Sequence, residues 1–266
     1  MCTVSIVNRG DSILVTMNRD ERRERSEEGM FSYRKQGVDL LFPRDGLAGG
    51  SWIACSERGE LACLLNRYDD VEQRERPSRG ALVLDVLSRD ADIPLCDWLL
   101  SGSGLGACRY APFTLLLISH RQSLRLDWDG KISTLTEVPC GNSLASSSSE
   151  RWHEVLNYRE HCFQRWLTRG QPGMEAAGIF MPNVHIEPGE GGPENAILMA
   201  REATHSKSIT QIELGIDHSE MRYWNEAALT ILEQGEQKPD EAFILLAERR
   251  TLRHAASLQH QEVNYA

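Results

Sequence analysis

The chain has 266 residues, of which 41% are hydrophobic and 26% are charged, so it can bury a sizeable core as a globular protein. Its net charge of −10 argues against a nucleic-acid partner, because binding to a phosphate backbone depends on clustered Lys and Arg. No apolar run approaches the roughly 20 residues that a membrane helix needs. No secretory signal is visible, so we expect a cytoplasmic protein that does not insert into a membrane.

The seven cysteines are odd in number and scattered along the chain. They form no CxxC pair and no Cys/His cluster with zinc spacing, so the sequence predicts no metal site. Six of them are expected to be buried, inert thiols of a reduced protein. These six are Cys55, Cys63, Cys96, Cys108, Cys140 and Cys162.

The N-terminal segment carries the clearest local pattern. Residues 3–7 and 12–17 are β-prone runs on either side of an Asn-Arg-Gly-Asp turn, which predicts a hairpin. Pairing the two ends of that turn puts Cys2 opposite Met17, on the apolar side that faces the core. Arg19 has the parity of the same face if the second strand continues that far.

Two stretches lack the periodicity of regular structure. Residues 21–50 are polar and poorly periodic, which predicts a long surface excursion of the kind that often serves as a binding loop or lid. Residues 169–195 are rich in Gly and Pro and are also expected to form a loop.

The other segments alternate between strand and helix patterns. Strands are predicted at 52–55, 61–66, 113–119, 124–128, 131–136, 209–214 and 221–224. Helices are predicted at 80–87, at 94–100, from the serine run 146–149 to about 167, and from about 239. Runs of strands separated by helices, without a repeat or a linker, predict an α+β layered fold in a single domain over residues 1–266.

Cys2 attracts attention because of its place in the chain. If Met1 is removed, which a small second residue permits, Cys2 carries both a thiol and a free α-amine. An α-amine has a pKa of about 7.7 and can take the thiol proton near neutral pH. Arg19 would favour the thiolate, and Asp20 could accept a hydrogen bond from the amine. The plain alternative is that Cys2 is a small hydrophobe in an edge strand.

Four segments of the chain form a set: Met1-Cys2-Thr3, Asn18-Arg19-Asp20-Glu21, Ala48-Gly49-Gly50-Ser51-Trp52 and Leu61-Ala62-Cys63-Leu64-Leu65-Asn66. In this order and spacing they resemble the NRDE family, also called the transport-and-Golgi-organisation protein family. The resemblance is strong over residues 1 to about 90 and looser to about residue 225. That family is similar in turn to the penicillin V acylase and bile-salt hydrolase branch of the N-terminal nucleophile (Ntn) hydrolases, which cut amides with an N-terminal Cys.

The resemblance implies a fold and a set of roles. The implied fold is a four-layer αββα sandwich with mostly antiparallel sheets. Cys2 is implied as the nucleophile, with Arg19 and Asp20 as the groups around its thiol and amine. Asn66 is implied as an oxyanion-hole donor, and Asn142 matches a second such donor more loosely. Side-chain amides suit that role because they stabilise the oxyanion without a change of protonation.

Substrate contacts are assigned to Asn18, Trp52 and His205, the last of which stands where relatives tend to have Arg. The predicted reaction hydrolyses or transfers an acyl group from a small, partly apolar amide or thioester, and it requires no cofactor. The alternative is a non-catalytic protein on the same fold that binds and traffics haem, acyl-CoA or lipid, with Cys2 or His205 contacting the ligand. The oligomeric state stays open, a homo-oligomer being one option.

Overall fold

The computed structural model describes residues 2–68, 76–93, 97–98, 109–139, 141–149, 151–186, 189, 191–234 and 241–255. Most of the predicted helix at 94–100 lies outside these residues, as do Cys96, Cys108 and Cys140. Within the described part of the chain, no helix is long and apolar enough to cross a membrane.

One large antiparallel sheet has six strands and contains both ends of the described chain. Its members are β1 (Cys2–Asn8), β2 (Ile13–Arg22), β10 (Ser143–Ser146), β13 (Thr204–Leu214), β14 (His218–Trp224) and β15 (Glu248–Arg253). They are ordered β10-β1-β2-β13-β14-β15, so β1 and β2 lie in the interior of the sheet. Cys2 is therefore held on both sides by neighbouring strands, so β1 is not the edge strand that the plain alternative assumed.

The second large sheet has seven strands arranged in chain order. Its members are β3 (Glu27–Lys35), β4 (Val38–Asp45), β5 (Ile53–Ser56), β6 (Glu60–Asn66), β7 (Phe113–Ser119), β8 (Ser123–Trp128) and β9 (Ser133–Glu137). A small hairpin of β11 (Gly173–Ala176) and β12 (Ile179–Pro182) leads into a 3₁₀ turn at Asn183–His185. Every pair in these two sheets is antiparallel, and most strands return to their neighbour through a short turn or loop. Strands β6 and β7 also pair, although residues 67–112 separate them along the chain.

The helices cover the outer faces of the two large sheets. They are α1 (Gly80–Leu87), α2 (Trp152–Thr168), α3 (Glu226–Gln234) and α4 (Glu241–Ile244). Helix α1 packs Leu82 and Val86 on the seven-stranded sheet, whereas Phe163 and Trp166 of α2 pack on the six-stranded sheet. The two sheets bury their facing sides against each other, with Val4 among the central residues. The four-layer αββα sandwich is confirmed.

The N-terminal hairpin forms as predicted, but its register differs. Cys2 pairs with Arg19, two residues beyond the predicted partner. The turn is longer than expected because it is closed by a hydrogen bond of 2.9 Å from the Arg9 amide to the Ser12 carbonyl. A shift of two residues preserves the parity of a strand, so the residues expected to face the core still do.

The predicted excursion at 21–50 is wrong, since most of this stretch is the β3–β4 hairpin. Strand β4 buries Val38, Leu40 and Phe42 in the core beneath α1. Charged residues obscured the pattern, because the exposed members of this hairpin pair with each other across it, as Arg34 does with Asp39 at 2.9 Å.

Three further predictions need correction. The serine run does not cap α2, because the helix begins after Arg151, whose backbone is left-handed and makes no side-chain cap. The predicted loop at 169–195 contains the β11–β12 hairpin, and the C-terminal helix is a single turn followed by β15.

Candidate active site

Cys2 is the first residue of β1 and lies at the bottom of a cleft of about 990 Å³. Its side chain faces the core between the two sheets and is 7% exposed. The Cys2 amide donates to Ser147 Oγ at 3.0 Å, and its carbonyl accepts a hydrogen bond of 2.9 Å from the Ser147 amide. The backbone nitrogen that would become the α-amine is thus already fixed by a side chain of the residue that directly follows β10.

Arg19 faces Cys2 directly across the hairpin and is surrounded by acids. Its guanidinium pairs with Glu27 at 2.5 Å, Asp45 at 2.8 Å and Glu21 at 3.5 Å. The centroid of the Trp52 ring lies 4.4 Å from the guanidinium carbon, a cation–π contact. Burial lowers the pKa of Arg19, but the surrounding carboxylates more than offset it and the pKa is raised overall. The positive charge beside Cys2 is therefore permanent.

Asp20 leaves the same strand on the opposite side and is 1% exposed. Its carboxylate accepts a hydrogen bond of 2.6 Å from Ser206 Oγ and pairs with Arg159 at 3.3 Å. Burial, the largest cause, raises the pKa of Asp20 above its ordinary value, while Arg159 and Ser206 act to lower it. Arg159 and Ser206 therefore both favour the ionised form of Asp20.

The Cys2 thiol is protonated near neutral pH as the chain stands. Burial, the largest cause, raises its pKa above the ordinary value; the charge of Asp20 raises it further and that of Arg19 lowers it. A base must therefore take the thiol proton before Cys2 can act as a nucleophile. Burial also raises the pKa of Cys55 to about 12 and shifts the pKa of Cys63 in the same direction. Both are the inert buried thiols that were predicted.

The cleft brings together several of the predicted site residues. Cys2, Arg19, Asp20, Asn66 and Trp52 all line it. Asn66 is the last residue of β6 and is half-buried. Its side-chain amide makes no hydrogen bond to any residue in the described ranges, which leaves it available to a bound molecule.

Two arginines line another wall of the cleft, on the segment that leads into α1. Arg76 donates to the Tyr110 carbonyl at 2.8 Å, and Arg79 donates to the Pro112 carbonyl at 2.7 Å. Burial, the largest cause, lowers the pKa of Arg79, and Tyr68 and Glu21 act against that change. Because carbonyls do not neutralise a guanidinium, Arg76 and Arg79 keep their positive charges at this wall of the cleft.

Asn18 does not reach the cleft, which corrects its assignment to substrate binding. It lies on the outer face of β2 and is fully buried. Its Oδ1 contacts Nδ1 of His185 at 2.6 Å, and its Nδ2 donates to the His185 carbonyl at 3.0 Å. The other ring nitrogen of His185 lies 2.6 Å from Ser5 Oγ. Asn18 therefore fastens β2 to the 3₁₀ turn and has a structural role.

Asn142 and His205 are also placed away from the thiol. Asn142 accepts a hydrogen bond of 3.0 Å from the Asn8 amide at the far end of β1, about 20 Å from Cys2 at strand spacing. The loose match to an oxyanion donor is therefore wrong. His205 is buried, pairs through Nε2 with Glu226 at 2.8 Å and is absent from the cleft lining. It does not replace the expected Arg.

Two residues of the site were not predicted. Ser147 was assigned to a helix cap, and no local pattern indicates that its partner is 145 positions away. Arg159 left a trace in the sequence, since it occupies the stripe of α2 that also buries Val155, Phe163 and Trp166. A charged residue within an apolar helical stripe indicates a buried partner.

The fold and the site together define the class of this protein: an αββα sandwich that carries a cysteine on its first strand, at the bottom of an open cleft. The chain belongs to the Transport and Golgi organisation 2 (TANGO2) family, whose family model matches residues 1–176. This is the family that the four sequence segments resemble. A comparison with curated proteins gives no match.

Solved structures similar to this chain include two variants of conjugated bile acid hydrolase from Clostridium perfringens. They are 9% and 8% identical, cover 99% of this chain and 100% of their own, and have a TM-score of 0.45. A Caenorhabditis elegans N-acylethanolamine-hydrolyzing acid amidase ortholog is 11% identical, covers 64% of this chain and 80% of its own, and has a TM-score of 0.44. The family assignment rests on the family match, and the fold rests on the layers described above.

Proposed function

We propose that the chain is an N-terminal cysteine hydrolase or acyltransferase that acts on an amide or thioester bond of a small substrate. The observation that carries this proposal is the position of Cys2. Its thiol lies opposite the permanent charge of Arg19 at the bottom of a cleft, and its backbone nitrogen is held by Ser147 at 3.0 Å. Removal of Met1 converts that nitrogen into the α-amine that serves as the base.

The reaction follows from these groups. The α-amine takes the thiol proton, and the thiolate of Cys2 attacks the substrate carbonyl carbon. The resulting oxyanion accepts a hydrogen bond from the Asn66 amide. Collapse breaks the bond to the amine or thiol leaving group, which takes the proton from the ammonium and leaves a thioester on Cys2. Water, or another acceptor, then attacks the thioester with the amine again as base, and the acyl product leaves.

The cleft walls support a substrate with two different ends. Trp52, Leu47 and Leu64 offer apolar surface, whereas Arg76 and Arg79 offer charge to a carboxylate or a phosphate. The volume of about 990 Å³ suits a small molecule rather than a protein. The chemistry written above uses only side chains and the α-amine, so we propose a reaction without a cofactor. The free thiols of the described residues suit a reducing compartment such as the cytoplasm.

The same arginine wall favours a second candidate function. A protein that only binds and carries haem or an acyl-CoA could hold the carboxylates or phosphates of that ligand with Arg76 and Arg79. Under this alternative Cys2 contacts the ligand without forming a thioester. The two candidates differ in one measurable property, which is the reactivity of Cys2 after the removal of Met1.

The test is intact-protein mass spectrometry of material from its native compartment, before and after a short exposure to a thiol-directed acylating probe. We expect the mass of a chain without Met1 and a single adduct that peptide mapping assigns to Cys2. Cys2→Ala should keep the fold by circular dichroism and lose the adduct and any turnover. The matched control is Cys162→Ala, a half-buried thiol on α2, which should leave labelling unchanged. A retained Met1, or adducts spread over other cysteines, would favour the binding function instead.

A further inference from the structure

Arg159 lies on α2 and is fully buried, with no exposed surface. Four contacts account for its guanidinium. Nη1 donates to Thr3 Oγ1 at 2.7 Å and to Ser146 Oγ at 3.0 Å, Nη2 pairs with Asp20 at 3.3 Å, and Nε donates to the Asn195 carbonyl at 3.2 Å. A side chain of the helical layer therefore reaches into the six-stranded sheet and touches three of its neighbouring strands.

The strands that Arg159 joins are those that carry the candidate site. Thr3 follows Cys2 on β1, and Asp20 follows Arg19 on β2. Ser146 is the last residue of β10 and precedes the serine that holds the Cys2 nitrogen. Thr3 Oγ1 and Ser146 Oγ also lie 2.8 Å from each other, so the guanidinium binds a preformed pair of hydroxyls. One group thus fixes the relative positions of three backbones around the N-terminus.

A buried charge at this position calls for an explanation. The neighbouring members of the same helical stripe are apolar, and an apolar residue would avoid the desolvation of a guanidinium. Replacing a buried ion pair by packed hydrophobic residues is often neutral or stabilising, so stability alone does not account for the Arg159–Asp20 pair. The location of the pair, one residue away from Cys2 on β1 and one away from Arg19 on β2, points to the site.

We propose that Arg159 is a positioning residue for Cys2: it holds the Asp20 carboxylate in its ionised form and fixes the strands that frame the N-terminal amine. The inference rests on the proposed function, because an amine to be positioned exists only when Met1 is removed. An ionised Asp20 can attract and orient the α-ammonium that forms when the thiol proton is transferred. A neutral Asp20 cannot stabilise that charge.

The charges and polar groups around Asp20 agree with this role. Arg159 faces Asp20 from α2, and Ser206 faces it from β13. Arg201, from the loop before β13, and Cys2, from β1, act on Arg159. Burial raises the pKa of Asp20, and Arg159 is the first of the influences that lower it. Without the guanidinium, we expect the pKa of Asp20 to rise further, since an adjacent opposite charge lowers a carboxyl pKa by about 1–3 units.

The test compares Arg159→Met, Arg159→Lys and Asp20→Asn with the unaltered chain, all freed of Met1. One readout is the rate of Cys2 alkylation by iodoacetamide as a function of pH. The other is the titration of the Asp20 carboxyl by carbon-13 NMR, assigned by its absence from Asp20→Asn. Arg159→Met should slow alkylation by about 10–100-fold near neutral pH and move the Asp20 midpoint upward by about one pH unit or more. Arg159→Lys keeps the charge and should restore most of both properties.

The double variant separates positioning from general damage. In the Asp20→Asn background, Arg159→Met should slow alkylation clearly less than in the unaltered chain, because the carboxylate is already absent and only the contacts with Thr3 and Ser146 are left to lose. An equal loss in both backgrounds, or an unchanged Asp20 midpoint in folded Arg159→Met, would overturn the inference. If Arg159→Met does not fold, the titration midpoint of Asp20 in Arg159→Lys tests the inference instead. An Asp20 that stays ionised beside Lys supports the role of the charge. An Asp20 that becomes neutral there contradicts it. An unreactive Cys2 in the unaltered chain would instead reject the proposed function, independently of the Asp20 midpoint.

Discussion

Two buried arginines lie against strand β2, one on each face, and they differ in the number of carboxylates that neutralise them. Arg19 belongs to the strand itself, faces the core and has three carboxylates within 3.5 Å. Arg159 approaches the outer face from α2 and, among the described residues, pairs with a single carboxylate, that of Asp20, together with two hydroxyls. Both guanidinium groups are almost completely hidden from solvent, so the difference between them is one of local charge rather than of burial.

The direction of the pKa shifts follows from this difference. Burial lowers the pKa of both arginines, but the excess of acid around Arg19 raises its pKa overall, whereas the pKa of Arg159 stays lowered. On the inner face, Arg19 neutralises part of the negative charge of the surrounding carboxylates, which would repel each other without it. On the outer face the arginine and one carboxylate neutralise each other. Two cations with the same degree of burial can therefore have different functions, one permanent charge and one positioning contact.

Removing one of the two arginines should reduce stability most on the inner face. Arg19→Met leaves Glu27 and Asp45 buried beside each other without their shared cation. We expect a loss of about 3–5 kcal/mol in the free energy of unfolding, the range for breaking a buried ion pair. The loss should exceed that of Arg159→Met, because Asp20 alone can be neutralised by a single proton. Urea unfolding of the two variants at one pH measures both values.

Arg25→Met is the matched control for that prediction. Arg25 pairs with the same Asp45 at 2.8 Å, but its side chain is 28% exposed. Its removal leaves Arg19 in place, so the expected loss is about 1 kcal/mol or less. If Arg25→Met lost as much unfolding free energy as Arg19→Met, the cost would come from leaving Asp45 with one cation fewer and not from the burial of Arg19.

The outer face offers a second test, through the pH dependence of stability. Because Asn18 Nδ2 donates to the His185 carbonyl, its Oδ1 must accept, so His185 Nδ1 carries the hydrogen and Nε2 accepts from Ser5. Burial lowers the pKa of His185 from 6.5 to about 3. The unfolded chain therefore binds a proton at a pH where the folded chain does not, and stability is lost as the pH falls below about 6.5 towards 3.

The expected contribution of His185 is about 2 kcal/mol of lost stability between about pH 7.5 and 5, at about 1.4 kcal/mol per pH unit within the window. His185→Gln can keep a donor and an acceptor but does not titrate, so its stability should vary less over the same range by that amount. Equal pH dependence in the two chains would contradict the neutral, buried ring. The rate of Cys2 labelling should be the same in His185→Gln and in the unaltered chain, since the hydrogen bonds of His185 with Asn18 and Ser5 face away from the cleft.

The sequence predicted the parity of the N-terminal hairpin but not its register. Alternation of apolar residues decides which face a residue takes, so Cys2 and Arg19 could be assigned to one side without knowledge of the partner. The register depends on how the turn closes, here through a hydrogen bond between Arg9 and Ser12 that composition does not reveal. The same limit explains the missed hairpin at β3–β4, in which cross-strand charge pairs hide the alternation.

The segment Asn18-Arg19-Asp20-Glu21 shows why adjacent residues need not share a site. Its members alternate between the two faces of β2, so Asn18 reaches a buried histidine while Arg19 faces the thiol. A contiguous motif predicts that a strand matters, but it does not predict on which side each residue acts. Ser147 and Arg159 could not be assigned from the sequence, because their partners on β1 and β2 are more than 130 positions away.

The smallest expected effect concerns the contact between Arg19 and Trp52. The ring stacks under the guanidinium at 4.4 Å, and its Nε1 donates to Thr210 Oγ1 at 3.4 Å, a long hydrogen bond. Trp52→Phe keeps an aromatic face and should lose only about 1 kcal/mol, whereas Trp52→Leu removes the face and should lose about 1 kcal/mol more. Unfolding of both variants in the native and the Arg19→Met background gives the coupling between ring and cation. A coupling of about 1 kcal/mol with Leu, and near zero with Phe, assigns it to the π face. Equal coupling for both would mean that the acids alone hold Arg19 in place, and that its orientation towards Cys2 does not depend on the ring.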